Sequence, residues 1–350
     1  MKKRTIIIIG FFLFLAGTVS FIFLRIRPNA TPKITSQTDK SKTAPYTDNP
    51  LSVIDMRAKT YPGSDLVIEQ TLPSGVNYSQ FIASYKSDGL KIYGLLTIPN
   101  GKKPSTGWPV IIFNHGYIPP EQYRTTERYV AYVAAFARNG YIVFKSDYRG
   151  NGSSEGQPEG AYYSPAYATD VLNALSSLKR YKDVDPNRIG MWGHSMGGNI
   201  TLRDLVVDPK DIKAAVIWGG VVGTYDDLLN NWHRRVPFQP SQRELALRNR
   251  YRQNLTTKYG TPQTNPQFWN AIDPNNYLSD IKAPIQLHTG GDDEEVPVAF
   301  SQQLEQRLKA SGKYVEYYNY SEDDHNISHN LNTALDRSVT FFDKYLKDSL

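Results

Sequence analysis

The chain has 350 residues, and its content of 40% hydrophobic and 21% charged residues excludes a protein that is disordered throughout. Because it contains no cysteine, thiol catalysis, disulfides and cysteine metal sites are also excluded. The net charge of +6 arises in residues 1–45, which carry eight of the 40 basic residues and one of the 34 acidic residues, so the nearly neutral remainder predicts no nucleic-acid partner.

The N-terminal segment has the pattern of a membrane anchor. Basic residues at positions 2–4 precede an uncharged stretch, Thr5–Leu24, which would span about 30 Å as a helix, the thickness of a bilayer core. A cleaved signal peptide is the alternative, but its apolar region is usually shorter and ends at a small-residue cleavage site. This stretch instead runs directly into two arginines. We expect residues 1–27 to form a transmembrane helix that anchors an extracytoplasmic body; cleavage would release a secreted protein.

The segment after the anchor differs in composition from the rest of the chain. Residues 28–50 are rich in Thr, Ser, Pro, Lys and Asn, which is typical of a flexible tether. Residues 51–350 are expected to form the folded body. Near its beginning, Phe81–Tyr85 and Lys91–Ile98 flank a turn at Ser87–Gly89, which predicts a hairpin.

Strand and helix signals alternate along the rest of the body. Strands are predicted at Val110–Asn114, Tyr141–Ser146, Arg188–Trp192, Lys213–Trp218, Ile285–Thr289 and Val315–Tyr320. Helices are predicted at Thr125–Arg138, Ala166–Tyr181, Gly198–Val207, Val298–Ala310 and Leu331–Leu346. This alternation predicts an α/β fold, with a mostly parallel sheet that carries helices on both faces.

One connection is longer than an α/β fold needs. About 65 residues separate the strand that ends near Trp218 from the strand that begins near Ile285. We expect a helical cap over about residues 220–282, above the carboxyl edge of the sheet. Six arginines lie within residues 234–252 of this cap, with Glu244 the only acid. They predict either a solvated helix face or a site for an anionic substrate or a membrane surface.

A candidate nucleophile lies in the pentapeptide Gly193–Gly197, which matches G-x-S-x-G with Ser195 at its centre. The pattern alone also occurs in turns with an incidental serine. Here it follows a predicted strand and opens a predicted helix, which is the arrangement of a nucleophile elbow. In such an elbow the serine occupies a strained turn with its hydroxyl exposed, so the context favours Ser195 as a nucleophile.

A serine hydroxyl needs a neighbouring base, and the chain order in this type of site is serine, acid, histidine. His325 and His329 are the two histidines late enough in the chain. His325 is preferred because it lies in a polar loop directly after a predicted strand. The acid is expected after Ile285–Thr289, and spacing alone leaves four candidates open: Asp292, Asp293, Glu294 and Glu295.

An oxyanion that develops during acyl transfer requires backbone N–H donors. We predict these donors at Met196, directly after the nucleophile, and at Tyr117, in the loop after Val110–Asn114. A plain turn at His115–Gly116 is the alternative for the second donor. The sequence contains no metal-binding, phosphate-loop or dinucleotide fingerprint, so no cofactor is predicted.

Together, these segments resemble the α/β-hydrolase superfamily. More narrowly, they resemble the catalytic domain of the prolyl oligopeptidase (S9) family, bacterial esterases and dienelactone-hydrolase-like proteins. The segments are 114–117, 147–153, 193–198 and 293–297, with His325 downstream. Because the family acid precedes x-x-Val-Pro, the resemblance implies that Asp293 is the acid of the triad. It also implies that Asp147 and Arg149 support a loop.

Departures from the family leave the substrate open. Fewer than 60 residues lie between the tether and Val110, so no propeller domain fits there, and the propeller glutamates that hold a substrate amine are missing. Such peptidases often have tyrosine directly after the serine. This chain has Met196 there, and many esterases and lipases likewise have methionine. The resemblance therefore predicts a serine hydrolase that forms an acyl-enzyme with a small ester or peptide substrate. A catalytically silent surface-binding protein on the same fold is the alternative.

Overall fold

The computed structural model describes residues 49–232 and 242–347. The predicted anchor, residues 1–27, and the predicted tether up to residue 48 lie outside these ranges. Arg234 and Arg235 of the predicted cap also lie outside the described residues. Within the described ranges, no helix combines the length and apolar character needed to cross a membrane.

The described residues contain a nine-stranded sheet. Its strands in chain order are β1 (Val67–Leu72), β2 (Tyr78–Ser87), β3 (Leu90–Pro99), β4 (Trp108–Asn114), β5 (Ile142–Ser146), β6 (Val184–His194), β7 (Ile212–Trp218), β8 (Ile285–Gly290) and β9 (Val315–Tyr320). Their spatial order is β1-β2-β3-β5-β4-β6-β7-β8-β9. The pairs β1–β2, β2–β3 and β3–β5 are antiparallel. The pairs β5–β4, β4–β6, β6–β7, β7–β8 and β8–β9 are parallel. The predicted, mostly parallel sheet is confirmed.

Helices lie on both faces of this sheet and in the insertion between β7 and β8. They are α1 (Val53–Ala58), α2 (Val130–Arg138), α3 (Ala166–Lys179), α4 (Met196–Val207), α5 (Gln242–Tyr259), α6 (Pro266–Ile272), α7 (Val298–Ala310) and α8 (Leu331–Leu346). One face packs against α1, α3, α4 and α7, and the other against α2 and α8. Strand β4 supplies Val110 and Ile112 to the first face and Ile111 and Phe113 to the second. Because successive strand residues point to opposite faces, a strand buried on both sides is apolar throughout.

Two elements near the start of the body were not predicted. Asn49, at the end of the predicted tether, is buried, and its side chain accepts a hydrogen bond from the Leu51 amide at 3.1 Å. Helix α1 follows at once, with Ser52 as its N-cap. Strand β1 lies at the sheet edge and is exposed along nearly its whole length. A six-residue helix and a strand without a buried face leave no periodic apolar pattern in the sequence.

The predicted helix at Thr125–Arg138 is wrong over its first turn, because α2 begins only at Val130. Arg128 and Tyr129 have φ values of 56° and 53°, in the left-handed region, and such residues interrupt a right-handed helix. The Thr125 hydroxyl instead donates to a carboxylate oxygen of Asp147 at 2.6 Å. Residues 125–129 therefore continue the loop that follows β4.

The long insertion between β7 and β8 is helical, as predicted. Besides α5 and α6, it contains a π-helical turn at Asp227–Asn231 and a 3₁₀ helix at Pro274–Asp280. Arg203 of α4 is buried and joins this insertion to the sheet layer. Its guanidinium donates to Tyr225 Oη at 2.9 Å and to the Ile272 carbonyl at 3.1 Å. The insertion is thus held on the side of the sheet that α4 covers.

Helix α4 also contains a buried carboxyl group, that of Asp204. Asp204 is fully buried, and neither of its carboxylate oxygens has a hydrogen-bond partner among the residues that the structure describes. Burial, which penalises the charged form, raises the pKa of Asp204 well above its usual value. The folded protein therefore retains a proton on Asp204 that the unfolded chain releases above about pH 4.

Asp204 is expected to make stability fall as the pH rises. Above about pH 4 the folded state binds one proton more than the unfolded state, so this group lowers the free energy of unfolding by up to about 1.4 kcal/mol per pH unit. Asp204→Asn removes this contribution, and urea unfolding between pH 4 and 7 should show a flatter dependence than wild type. Asp65→Asn, which alters an acid whose side chain is 91% exposed, is the control and should keep the wild-type slope. Equal slopes for wild type and Asp204→Asn would refute this interpretation.

Candidate active site

The strand, turn and helix predicted around Ser195 are all present. Strand β6 ends at His194 and α4 begins at Met196, and Ser195 between them has φ 54° and ψ −118°. This conformation is strained for a residue with a side chain. The neighbouring segment holds it in place, because the Ser195 amide donates to the Trp218 carbonyl and the Val221 amide donates to the Ser195 carbonyl, both at 3.0 Å.

The glycines of the pentapeptide are required by close packing of the backbone. A Cβ atom at position 193 would lie 2.4 Å from the Gly197 carbonyl oxygen. A Cβ atom at position 197 would lie 1.8 Å from the carbonyl oxygen of Asn114, at the end of β4. The elbow can therefore sit against the end of β4 only when both positions lack side chains.

The structure brings His325 and Asp293 together. His325 Nδ1 lies 2.7 Å from Asp293 Oδ2, and both side chains are almost fully buried. The other oxygen, Asp293 Oδ1, accepts hydrogen bonds from the amides of Glu295 and Val296, both at 2.9 Å. The carboxylate is thereby fixed in orientation. A neutral imidazole that donates from Nδ1 to Asp293 keeps Nε2 as the basic nitrogen.

The second-choice histidine and the neighbouring acids lie elsewhere. The side chain of His329 is 78% exposed, and its Nδ1 lies 3.3 Å from Asp323 rather than near Asp293. Asp292 and Glu294 are exposed, and Glu295 is half-buried. Of the two histidines and four acids that the sequence left open, the structure therefore pairs His325 with Asp293.

Ser195 and His325 line a common cavity of about 250 Å³. Its walls are formed by Gly116, Tyr117, Ile118, Arg128, Tyr129, Tyr132, His194, Ser195, Glu295, His325 and Asn326. The cavity lies where β4 and β6 are neighbours and the chain leaves them in opposite directions, which opens a crevice at their carboxyl ends. The α/β topology thus places the two residues beside one another although 130 residues separate them in the chain.

The predicted oxyanion donors border this cavity. Met196 is the first residue of α4, so its amide has no partner in the helical hydrogen-bond ladder. The amino end of α4 also carries a partial positive charge. Tyr117 lies in the opposite wall, in the loop after β4. Donors on both sides of the crevice suit a negatively charged oxygen between them.

A hydrogen-bonded chain in the cavity wall was not predicted from the sequence. Tyr129 Oη lies 2.9 Å from the Gly116 amide and 2.8 Å from His194 Nδ1. The His325 carbonyl can only accept, so His194 Nε2–H donates to it at 3.0 Å, and the unprotonated Nδ1 of the neutral ring accepts the hydrogen of the Tyr129 hydroxyl. Burial, aided by the nearby His325, lowers the pKa of His194 to about 3. His194 is therefore neutral, as this tautomer requires.

Asp147 and Arg149, which the resemblance assigned to loop support, are buried and hydrogen-bonded. Asp147 accepts from the hydroxyls of Tyr123 at 2.7 Å and Thr125 at 2.6 Å, and so holds the loop between β4 and α2. Burial raises the pKa of Asp147 to about 6 despite these two bonds. Arg149 forms an ion pair with Asp170 at 2.7 Å.

Comparison with known proteins identifies relatives along most of the body. The family model for serine aminopeptidase, S33, matches residues 109–328. The uncharacterized peptidase YtmA of Bacillus subtilis is 26% identical over 259 residues, which cover 73% of this chain and 90% of that protein. The uncharacterized peptidase YuxL of the same organism is 25% identical over 264 residues, 74% of this chain but only 36% of YuxL.

Solved structures share the fold at lower identity. An acetyl xylan esterase from Paenibacillus sp. R4 has a TM-score of 0.61 at 19% identity, with 84% of this chain and 92% of that chain covered. The acylaminoacyl peptidase of Pyrococcus horikoshii has a TM-score of 0.60 at 23% identity, with 77% and 42% covered. The predicted α/β-hydrolase fold is confirmed, and the family match lies within the same superfamily. The chain belongs to the serine aminopeptidase S33 family of α/β-hydrolases.

Proposed function

We propose that this chain is a serine hydrolase that cleaves a peptide or carboxylic ester bond through an acyl-enzyme on Ser195. The 2.7 Å contact between His325 and Asp293 carries the proposal, because it orients a histidine base in the cavity that Ser195 lines. A solvated histidine would need no such buried partner. The strained backbone of Ser195 adds support, since strain of this kind concentrates at functional sites.

The reaction would follow the roles that this arrangement permits. As Ser195 Oγ bonds to the substrate carbonyl carbon, its proton passes to His325 Nε2, and Asp293 stabilises the imidazolium that results. The amides of Met196 and Tyr117 stabilise the oxyanion of the tetrahedral intermediate. His325 then protonates the leaving amine or alcohol. A water molecule then attacks the carbonyl carbon of the acyl-enzyme and gives a proton to His325. His325 returns this proton to Ser195 Oγ as the carboxylic acid leaves.

The size of the cavity favours a small acyl group. Its volume of about 250 Å³ lies below the range of about 300–1,000 Å³ that is typical of sites for drug-sized ligands. One amino-acid residue or a short acyl chain would fit, and the rest of the substrate would extend toward solvent. The family name and the peptidase relatives favour peptides, whereas the esterase among the structural neighbours keeps esters in consideration.

The proposed location is outside the cytoplasm. The basic residues before the uncharged stretch Thr5–Leu24 support a single N-terminal anchor, and the polar tether after it would let the body reach substrates near the membrane. Under this proposal, the full-length chain should fractionate with membranes and resist alkaline carbonate extraction. Recovery in the soluble cytoplasmic fraction would contradict it.

A substrate panel distinguishes a peptidase, a carboxylesterase and a catalytically silent protein. Full-length protein is assayed with p-nitrophenyl esters of two to eight carbons and with aminoacyl and dipeptidyl p-nitroanilides. We expect turnover of short esters and of at least one anilide class, with kcat/KM declining as the acyl chain lengthens. Turnover of esters alone would assign a carboxylesterase. No turnover of any substrate, together with no labelling by a fluorophosphonate, would refute the proposal and support a silent binding protein.

A further inference from the structure

The loop residue Tyr129 occupies an unusual backbone conformation. It and the preceding Arg128 are consecutive non-glycine residues with left-handed φ values. Such conformations cost free energy and persist only where surrounding contacts impose them. In this conformation the Tyr129 hydroxyl reaches the wall of the catalytic cavity, where it contacts the Gly116 amide and His194.

The first of these contacts fixes the oxyanion loop. The Gly116 amide donates to Tyr129 Oη at 2.9 Å, one residue before the predicted donor Tyr117. A Cβ atom at position 116 would lie 2.6 Å from Tyr129 Oη and 3.1 Å from Ser195 Cβ. Gly116 therefore lies wedged between the tyrosine hydroxyl and the nucleophile.

The second contact reaches the catalytic base. Tyr129 Oη–H donates to His194 Nδ1, and His194 Nε2–H donates to the backbone carbonyl of His325. The rings of His194 and His325 lie 4.5 Å apart between centroids. Asp293 holds His325 through its side chain, whereas His194 holds it through its backbone. His194 bridges the two loops in the tautomer that the His325 carbonyl requires, with hydrogen on Nε2, and in this tautomer Nδ1 accepts from the Tyr129 hydroxyl.

We infer that Tyr129 is a positioning residue whose hydroxyl, through His194, fixes the oxyanion loop and the His325 loop relative to Ser195. This inference rests on the proposed function, because it concerns the same catalytic groups. Tyr129 does not need to touch the reacting atoms. Its hydroxyl is already engaged at both ends, as acceptor from Gly116 and donor to His194.

Tyr129→Phe tests the inference, because the variant keeps the ring, which packs edge-on against Phe113 at 5.5 Å, and removes only the hydroxyl. We expect kcat to fall by about 10- to 100-fold, since displacements of an ångström or less at catalytic groups have effects of this size. KM should stay within about twofold, because uniform substrate binding is unaffected. His194→Gln is the second variant, and the same loss of kcat with little change in KM is expected.

Tyr141→Phe is the matched control. Tyr141 is also fully buried, and its hydroxyl donates to Asp343 at 2.6 Å, away from the catalytic cavity. This variant should lose stability but keep the wild-type kcat. The inference is overturned if Tyr129→Phe and His194→Gln both retain kcat within about twofold of wild type, or if Tyr141→Phe loses as much kcat as they do. Failure of the proposed function would look different, because wild type itself would then show no Ser195-dependent turnover.

Discussion

Ser195→Ala is expected to lower kcat for the best ester or peptide substrate by roughly 10⁴- to 10⁶-fold. The variant removes the oxygen that forms the acyl-enzyme. It leaves the cavity, the oxyanion donors and the His325–Asp293 pair in place, so KM should change little. Residual turnover would come from the oxyanion donors and from substrate binding alone. Steady-state assays at saturating substrate, with active-site titration by a fluorophosphonate, provide the measurement.

The control for this variant is another serine at the same edge of the sheet. Ser321 is exposed and lies four residues before His325, outside the cavity wall. Ser321→Ala should therefore retain wild-type kcat and fluorophosphonate labelling. If Ser195→Ala kept more than about a tenth of wild-type kcat, Ser195 would not be the nucleophile.

Asp293→Asn is expected to lower kcat by about 10⁴-fold. Asparagine can still accept hydrogen bonds from the Glu295 and Val296 amides, so the loop should keep its conformation. Toward His325, however, its amide group can donate to Nδ1. That contact favours the tautomer with hydrogen on Nε2, which cannot take the proton from Ser195, and it removes the negative charge that stabilises the imidazolium.

The neighbouring acids serve as controls for the Asp293 variant. Asp292→Asn and Glu294→Gln alter exposed side chains in the same loop and remove the same charge. Both should retain kcat within about threefold of wild type, because solvent screens the charge of an exposed side chain. A loss in Asp292→Asn equal to that in Asp293→Asn would show that the loop's total charge, rather than one positioned carboxylate, matters.

The elements that carry the site could be predicted because their signals are local. Residues 110–113 are an unbroken apolar run, as burial on both faces requires, and the glycines at 193 and 197 reflect packing that excludes a Cβ atom. The order of serine, acid and histidine follows from the fold. Choosing Asp293 among four adjacent acids needed the family resemblance. The turn that aims its carboxylate depends on backbone contacts that residue type does not specify.

The role of Tyr129 could not be predicted, for a physical reason. Residues 125–138 have an apolar periodicity that fits a helix, and neither Arg128 nor Tyr129 signals a left-handed turn. The partners of the Tyr129 hydroxyl, Gly116 and His194, come from other segments of the chain. Tertiary contacts of this kind override local preference and concentrate at functional sites.

The central claim, covalent catalysis by Ser195, is tested most directly by locating the covalent adduct. Full-length protein is inactivated with a fluorophosphonate, digested with trypsin and mapped by mass spectrometry. The tryptic peptide Ile189–Arg203 contains Ser195 as its only serine, so the modified residue can be assigned without ambiguity. We predict one adduct per molecule, at Ser195, that appears in parallel with the loss of turnover and is absent from Ser195→Ala. Complete inactivation with the adduct at another residue, or turnover that persists after Ser195 is fully modified, would contradict the claim.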